Sequence, residues 1–541
     1  MDGSNQGLAS DAPRVTGGGA DKGKSGLVAA LAVVALAATL AACGGGGGSS
    51  TTPPPPPPPP PPSGYFDPLN YSPTASASLL SANELASVTH HQITLGGRTI
   101  NYTATAGHLT ARDPVTNNAK ASFFYVAYTA DGATAATRPV TYFYNGGPGS
   151  ASVWLHLGSF GPKRMVTGDP LTNLPTPFAM VDNAESLLDV SDLVFVDAIG
   201  TGYSQAIAPN TNQTFWGVDV DAAAFRDFIS RYNTVNGRTA SPKFLFGESY
   251  GTPRSAVLAH LLETAGIELK GVVLQSSVLN YNTNCGVVSG NIPCTGYLPS
   301  YAATSAWYGK TTPAPTDLVA FMGQMRSYTD TQYAPAVTAW LTAGTALNTS
   351  LANQLAAYTG IASSAWRARP NMDPWFVQNN LVAGTLIGRY DARVSAPAGS
   401  ALAREGDPSS TFISASFATN IASYLAGDLG YTNPSTYTVL GNAINTWNFS
   451  HDGNALPDTI PDLAAALTQN PRLKVLSVSG YHDLATPFYQ TELDLARLGS
   501  LASKVTVKVY IGGHMTYLDD GSRPLEKADL AAFYAAALVA P

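Results

Sequence analysis

The sequence predicts an α/β domain with a mostly parallel sheet. Three observations predict it: short continuous apolar runs recur, helix-like segments lie between them, and a β-rich stretch of different texture precedes them. The runs are PVTYFYN (139–145), DLVFVD (192–197), KFLFGES (243–249), LKGVVLQ (269–275), LKVLSVSG (473–480) and VTVKVYIGG (505–513). Runs without polar alternation fit strands buried on both faces, as in a parallel sheet. The intervening segments DVDAAAFRDFISRYN (219–233) and PRSAVLAHLLETAG (253–266) read as helices. Strands alternating with helices define the α/β class. The earlier stretches, 90–109 and 121–130, alternate polar and apolar residues around glycine turns. They read as hairpins on a half-exposed sheet.

Composition fits a large buried core. Of the 541 residues, 45% are hydrophobic and only 12% are charged, which argues against a disordered chain. The net charge of −7 gives no electrostatic reason to expect a nucleic-acid partner. The three cysteines, Cys43, Cys285 and Cys294, show no metal-ligand spacing. In an oxidising compartment Cys285 and Cys294 would close a small surface loop. In a reducing one they would be free thiols.

Residues 1–64 carry no candidate catalytic residue. Lys22 and Lys24 precede the apolar run 26–42, the layout of a secretory signal. The run is shorter than a membrane-spanning helix requires. It ends Leu40-Ala41-Ala42-Cys43 before five glycines, which resembles the lipobox of bacterial lipoproteins. That resemblance implies residues 1–42 as signal peptide and Cys43 as a lipid-bearing mature N-terminus, hence a membrane anchor in the cell envelope. An ordinary cleaved signal and an uncleaved anchor are the alternatives. Residues 43–64 form a linker, with ten consecutive prolines from Pro53 to Pro62. Such a run favours a stiff polyproline II spacer. The folded domain is expected over 65–541. Between about 280 and 465 the strand pattern stops, and the segment reads as an inserted, mainly helical cap.

Gly247-Glu248-Ser249-Tyr250-Gly251 matches G-x-S-x-G, the nucleophile elbow of the α/β-hydrolase fold. It follows the strand KFLF, and Pro253 suits the first turn of the next helix. Ser249 is therefore the candidate nucleophile. A serine hydroxyl needs a base, and His514 follows the strand VTVKVY in a Gly-Gly turn. A carboxylate must fix the imidazole tautomer and stabilise its cation, and Asp483 lies just past the strand LKVLSVSG. The order Ser, Asp, His is that of the α/β-hydrolases. All three follow carboxyl ends of strands, which share one edge of a parallel sheet. Asn145-Gly146-Gly147-Pro148-Gly149-Ser150 follows another strand. The Gly147 and Tyr250 N–H groups are the candidate oxyanion donors. This chemistry requires no metal or cofactor.

Taken together, NGGPGSAS (145–152), DNAESLLDVSDLVFVDAIGTGYS (182–204), GESYGT (247–252), SGYHDLATP (479–487) and GGHM (512–515) resemble the serine carboxypeptidase family. YLPSYAATSAWYGK (297–310) looks like its bacterial branch. The resemblance implies a peptide substrate, cleaved one residue at a time from its free C-terminus. It also implies that Asn145 and Glu248 hydrogen-bond the terminal carboxylate. A Glu binds a carboxylate only if one of the two is protonated, so an acidic optimum is implied as well. A plain helix-start carboxylate is the alternative for Glu248. The sequence departs from the better-known eukaryotic members at Ser159, where they carry a second Glu. An esterase or acyltransferase on the same triad is the alternative function.

Overall fold

The predicted runs form neighbouring strands of one ten-stranded sheet in the computed structural model of the protein, which describes residues 64–539 except 82, 169–176 and 288–291. The apolar run 26–42, Cys43 and the prolines 53–62 lie outside the described residues, and so do the predicted signal, anchor and spacer. No helix among the described residues is long and apolar enough to cross a membrane.

The sheet contains β1 (Ala86–Leu95), β2 (Arg98–Arg112), β3 (Ala119–Ala130), β4 (Val140–Tyr144), β5 (Asp192–Val196), β6 (Gln205–Ala206), β7 (Lys243–Glu248), β8 (Leu269–Gln275), β9 (Lys474–Gly480) and β10 (Val505–Tyr510). Its order is β10-β9-β8-β7-β4-β5-β3-β2-β1, with β6 beside β3. Pairings from β10 through β5 are parallel, and those from β5 to β1 are antiparallel. Successive side chains of a strand point to opposite faces, and both faces are covered here. Phe143, Phe246 and Val273 pack into one core, while Tyr142, Leu245 and Val272 pack into the other. That double burial is why these strands are apolar throughout.

The first core lies against α1 (Val153–Gly158) and the later helices Pro408–Gly427 and Ser522–Leu538. The second is covered by α2 (Val218–Val235), α3 (Gly251–Thr264) and Ile460–Gln469. The two helices predicted between strands are thus α2 and α3.

The half-exposed character predicted for the early hairpins holds for β1, whose burial alternates, and for the first half of β2. The middle of β3 is buried without interruption. The reason is its position: β3 lies between β2 and β5, with Phe124 in one core and Phe123 in the other.

Between β8 and β9 the chain is mainly helical, as expected, but it divides in two. Residues within 294–392 build a separate core around Tyr301, Met325, Leu355 and Trp366. Residues 408–469 instead return to the two sheet cores. Cys285 and Cys294 form a disulfide with Cα atoms 5.5 Å apart. It is not simply a surface staple, because Cys294 is buried in the inserted segment's core.

Candidate active site

The carboxyl edge of the parallel strands carries the site. Ser249 follows β7 with a left-handed φ of 59°, a conformation that a non-glycine residue holds only under constraint. Its N–H donates to the Gln275 carbonyl at 3.0 Å. Gly247 shows why the motif needs glycine: a Cβ there would sit 2.2 Å from the Gly251 carbonyl oxygen. The turn therefore lifts Ser249 above the sheet and feeds directly into α3.

The 145–150 loop packs against this elbow. A Cβ on Gly146 would lie 2.3 Å from the Tyr250 nitrogen, which brings Gly147 beside Tyr250. Among the described residues neither of these two N–H groups donates to a backbone carbonyl. The loop is fixed from beneath: the Asn145 carbonyl accepts from Arg254 at 2.7 Å, and Arg254 donates to Asp221 at 2.6 Å. Arg254 is fully buried, and its guanidinium also faces the rings of Phe225, Tyr144 and Tyr250. The Ser152 N–H donates to Asp197 at 2.8 Å. Trp447 donates its indole N–H to the Tyr250 hydroxyl at 3.0 Å.

His514 and Asp483 form the second half. The His514 Nδ1 lies 2.7 Å from Asp483 Oδ2. Asp483 is wholly buried, and its other oxygen accepts from the N–H groups of Ala485 and Thr486 at 2.7 and 3.0 Å. The Thr486 hydroxyl donates to Asp483 Oδ2 at 2.8 Å and lies 3.1 Å from His514 Nδ1. Burial works against charge on the His514 ring, but the charge and hydrogen bond of Asp483, with Glu248 adding to them, raise its pKa overall. The loop behind is held by Ser276, which donates to the His514 carbonyl at 2.5 Å, and by Gln275 at 3.2 Å.

Asn145, Gly147, Glu248, Ser249 and His514 line one pocket of about 130 Å³. Asn145 donates to Glu248 Oε1 at 2.9 Å, and the Tyr517 hydroxyl donates to Oε2 at 2.5 Å. Burial pushes the Glu248 carboxyl up to about 7, against the opposing pull of His514 and these hydrogen bonds. Ser159 does not line the pocket. It is buried, and its hydroxyl donates to the Leu155 carbonyl at 2.6 Å.

Other contributors have no motif in the sequence. A turn of the inserted segment, residues 389–393, crosses both loops of the second half. The Leu484 N–H donates to the Arg389 carbonyl at 3.0 Å, and the Ala392 N–H donates to the His482 carbonyl at 3.0 Å. The turn thereby brackets Asp483. The His514 N–H donates to the Tyr390 carbonyl at 2.6 Å. Arg393 fastens the turn, donating to both oxygens of Asp391 and, at 2.6 Å, to Asp519. Thr486 alone had a local signal, a hydroxyl three residues after the acid. His482, next to Asp483 in sequence, is held neutral: burial, with Arg393 nearby, pushes its pKa down to about 4.

Among the described residues, His451, Asp452 and Asp462 are close enough together to hold a metal ion. Both His451 ring nitrogens are already engaged, by Asp219 at 2.7 Å and Asp462 at 2.8 Å. The group as built is an ion-pair clamp tying residue 451 to α2 and to the helix Ile460–Gln469.

The chain is 16% identical to Kex1Δp, a prohormone-processing carboxypeptidase of Saccharomyces cerevisiae, over 80% of this chain and 91% of that one, with a TM-score of 0.49. It is 15% identical to a proline iminopeptidase of Mycobacterium smegmatis, over 80% and 98%, with a TM-score of 0.35. The family model for serine carboxypeptidases matches residues 96–292, the segment that holds both the 145–150 loop and Ser249. The match takes in about a third of the chain and makes that segment similar to serine carboxypeptidases.

Proposed function

We propose that this enzyme uses Ser249, His514 and Asp483 to release single residues from the free C-terminus of peptides. One observation carries the assignment of a carboxylate-reading site: Asn145 and Glu248, joined at 2.9 Å, share a pocket with Ser249 and His514. A buried Glu that keeps its proton can donate to a carboxylate, whereas an ionised one repels it.

The steps follow from the groups present. The Ser249 oxygen attacks the carbonyl carbon of the last peptide bond while His514 takes its proton. The oxyanion accepts from the Gly147 and Tyr250 N–H groups. His514 then gives that proton to the leaving amine as the C–N bond breaks, leaving an acyl ester on Ser249. Water, deprotonated by His514, attacks the ester. The C–O bond breaks, and the proton returns to Ser249. Asp483 keeps the ring oriented and stabilises its cation.

Two groups shape the pH response. His514 must be neutral to accept the proton, so activity falls on the acid side. Glu248, raised to about 7, must be protonated to bind the carboxylate, so activity on free-acid peptides falls as pH rises through that value. The two charges interact, so the limbs of the profile belong to the pair rather than to either residue.

The test is digestion of one N-blocked peptide with a free or an amidated C-terminus, between about pH 4 and 8, beside the Ser249→Ala protein. Loss of single C-terminal residues from the free acid alone, dependent on Ser249, is expected. Ester hydrolysis without peptide cleavage would favour an esterase or acyltransferase. Cys43 and residues 22–42 support an exported, lipid-anchored enzyme, and loss of membrane fractionation in Cys43→Ala tests that reading.

A further inference from the structure

We propose that the Tyr390 hydroxyl is an additional donor to the substrate's C-terminal carboxylate, beside Asn145 and Glu248. The inference rests on the carboxypeptidase reading above and adds a residue from the inserted segment to that site. Tyr390 lines the same pocket as Asn145, Glu248, Ser249 and His514. Its ring meets the His514 imidazole edge-on, with centroids 5.1 Å apart and an interplanar angle of 66°. The backbone leaves it little freedom: its carbonyl accepts from the His514 N–H at 2.6 Å, and its N–H donates to Ser409 Oγ at 3.2 Å.

The hydroxyl itself makes no hydrogen bond among the described residues. Two other polar side chains of the pocket are already engaged. Asn145 donates to Glu248, and Arg393 to Asp391 and Asp519. A hydroxyl that is partly buried and unpartnered wants an acceptor. Burial and the nearby carboxylates of Asp407, Asp483 and Glu248 hold the phenol above its ordinary pKa, so it stays a neutral O–H. A neutral donor binds a carboxylate without any proton uptake. The position where relatives carry a second acid is occupied by Ser159, which faces the Leu155 carbonyl instead. Recognition here would then depend on one titrating acid, with a hydroxyl in support.

Tyr390→Phe removes the hydroxyl and keeps the ring against His514. The protein and this variant are compared on one peptide as free acid and as its methyl ester, with fluorophosphonate labelling of Ser249 in parallel. A hydrogen bond to a charged group predicts that KM for the free acid rises about 10-fold or more. The expected result also leaves kcat, the ester kinetics and the labelling rate essentially unchanged. Equal losses on acid and ester, or no change on either, would overturn the proposal. Absence of any acid-over-ester preference in the unsubstituted protein is a different failure. It is seen before the variant is compared, and it removes the carboxylate reading itself together with the role given to Tyr390.

Discussion

The two halves of the site share steric locking but differ in what fastens them. Added Cβ atoms on Gly247 and Gly146 would lie 2.2 and 2.3 Å from neighbouring backbone atoms, and on Gly480 and Gly513 2.1 and 2.2 Å. The half around Ser249, residues 145–150 and 247–251, is fastened from beneath by Arg254 and Asp221. The acid–base half hangs on polar bonds from a turn some 90 to 125 residues away along the chain, donated or accepted by Arg389, Tyr390, Ala392 and Arg393. Steric locking tolerates almost no change in either half. The fastening of the first half comes from the helices that cover the sheet, whereas that of the second depends on the inserted segment being docked. Loss of that docking should therefore weaken the second half and spare the first.

The largest effect is expected at the reacting atom. Ser249→Ala should lower kcat by about 10⁶-fold, in line with loss of a triad nucleophile, and abolish fluorophosphonate labelling while leaving the urea midpoint unchanged. Gly247→Ala should do the opposite to the fold: forcing a Cβ against the Gly251 carbonyl costs at least about 3 kcal/mol, read as a lower urea midpoint. A variant of normal stability would break the claim of steric locking.

In the other half, Arg393→Met leaves Asp391 and Asp519 without their cation. Breaking a buried pair costs about 3–5 kcal/mol locally. We expect activity to fall about 100-fold and labelling of Ser249 to slow, with the nucleophile half still folded by near-ultraviolet circular dichroism. Thr486→Val removes one donor to the buried Asp483. At about 1.5–3 kcal/mol for a hydrogen bond to a charged acceptor, kcat should drop about 10-fold or more with KM unchanged.

The smallest effect concerns the clamp behind Tyr250. Hydrogen bonding by Asp462, and then by Asp219, raises the His451 pKa to about 9. A raised histidine stabilises fully below its ordinary value near 6.5, and the contribution disappears as pH rises through about 9. Because Asp219 is largely exposed, the contribution is discounted to about 1–2 kcal/mol. His451→Gln should therefore lower the urea midpoint at pH 6 and match the unsubstituted protein above about pH 10. An equal loss at both pH values would assign His451 to packing alone.

What was legible in the sequence follows the same division. Ser249, Asp483 and His514 stood out as candidates because each follows a strand whose apolar run and glycine turn are local. The mostly parallel sheet needed no more than the alternation of those runs with helices, whereas the order of its strands came from the structure. Tyr390, Arg393 and Tyr517 could not be read. Tyr517 acts on Glu248 and Arg393 on Asp519, partners more than 100 residues away, and nothing near them marks the pairing. The buried middle of β3 was misread for a related reason. Its middle, FFYVAY at 123–128, is apolar and aromatic throughout, and a strand's exposure is set by which strands flank it.

The separation of the two halves in sequence also means that truncation can part them. The 145–150 loop and Ser249 precede the inserted segment, and Asp483 and His514 follow it. A chain cut within that segment would keep the elbow and carry neither the candidate acid nor the candidate base.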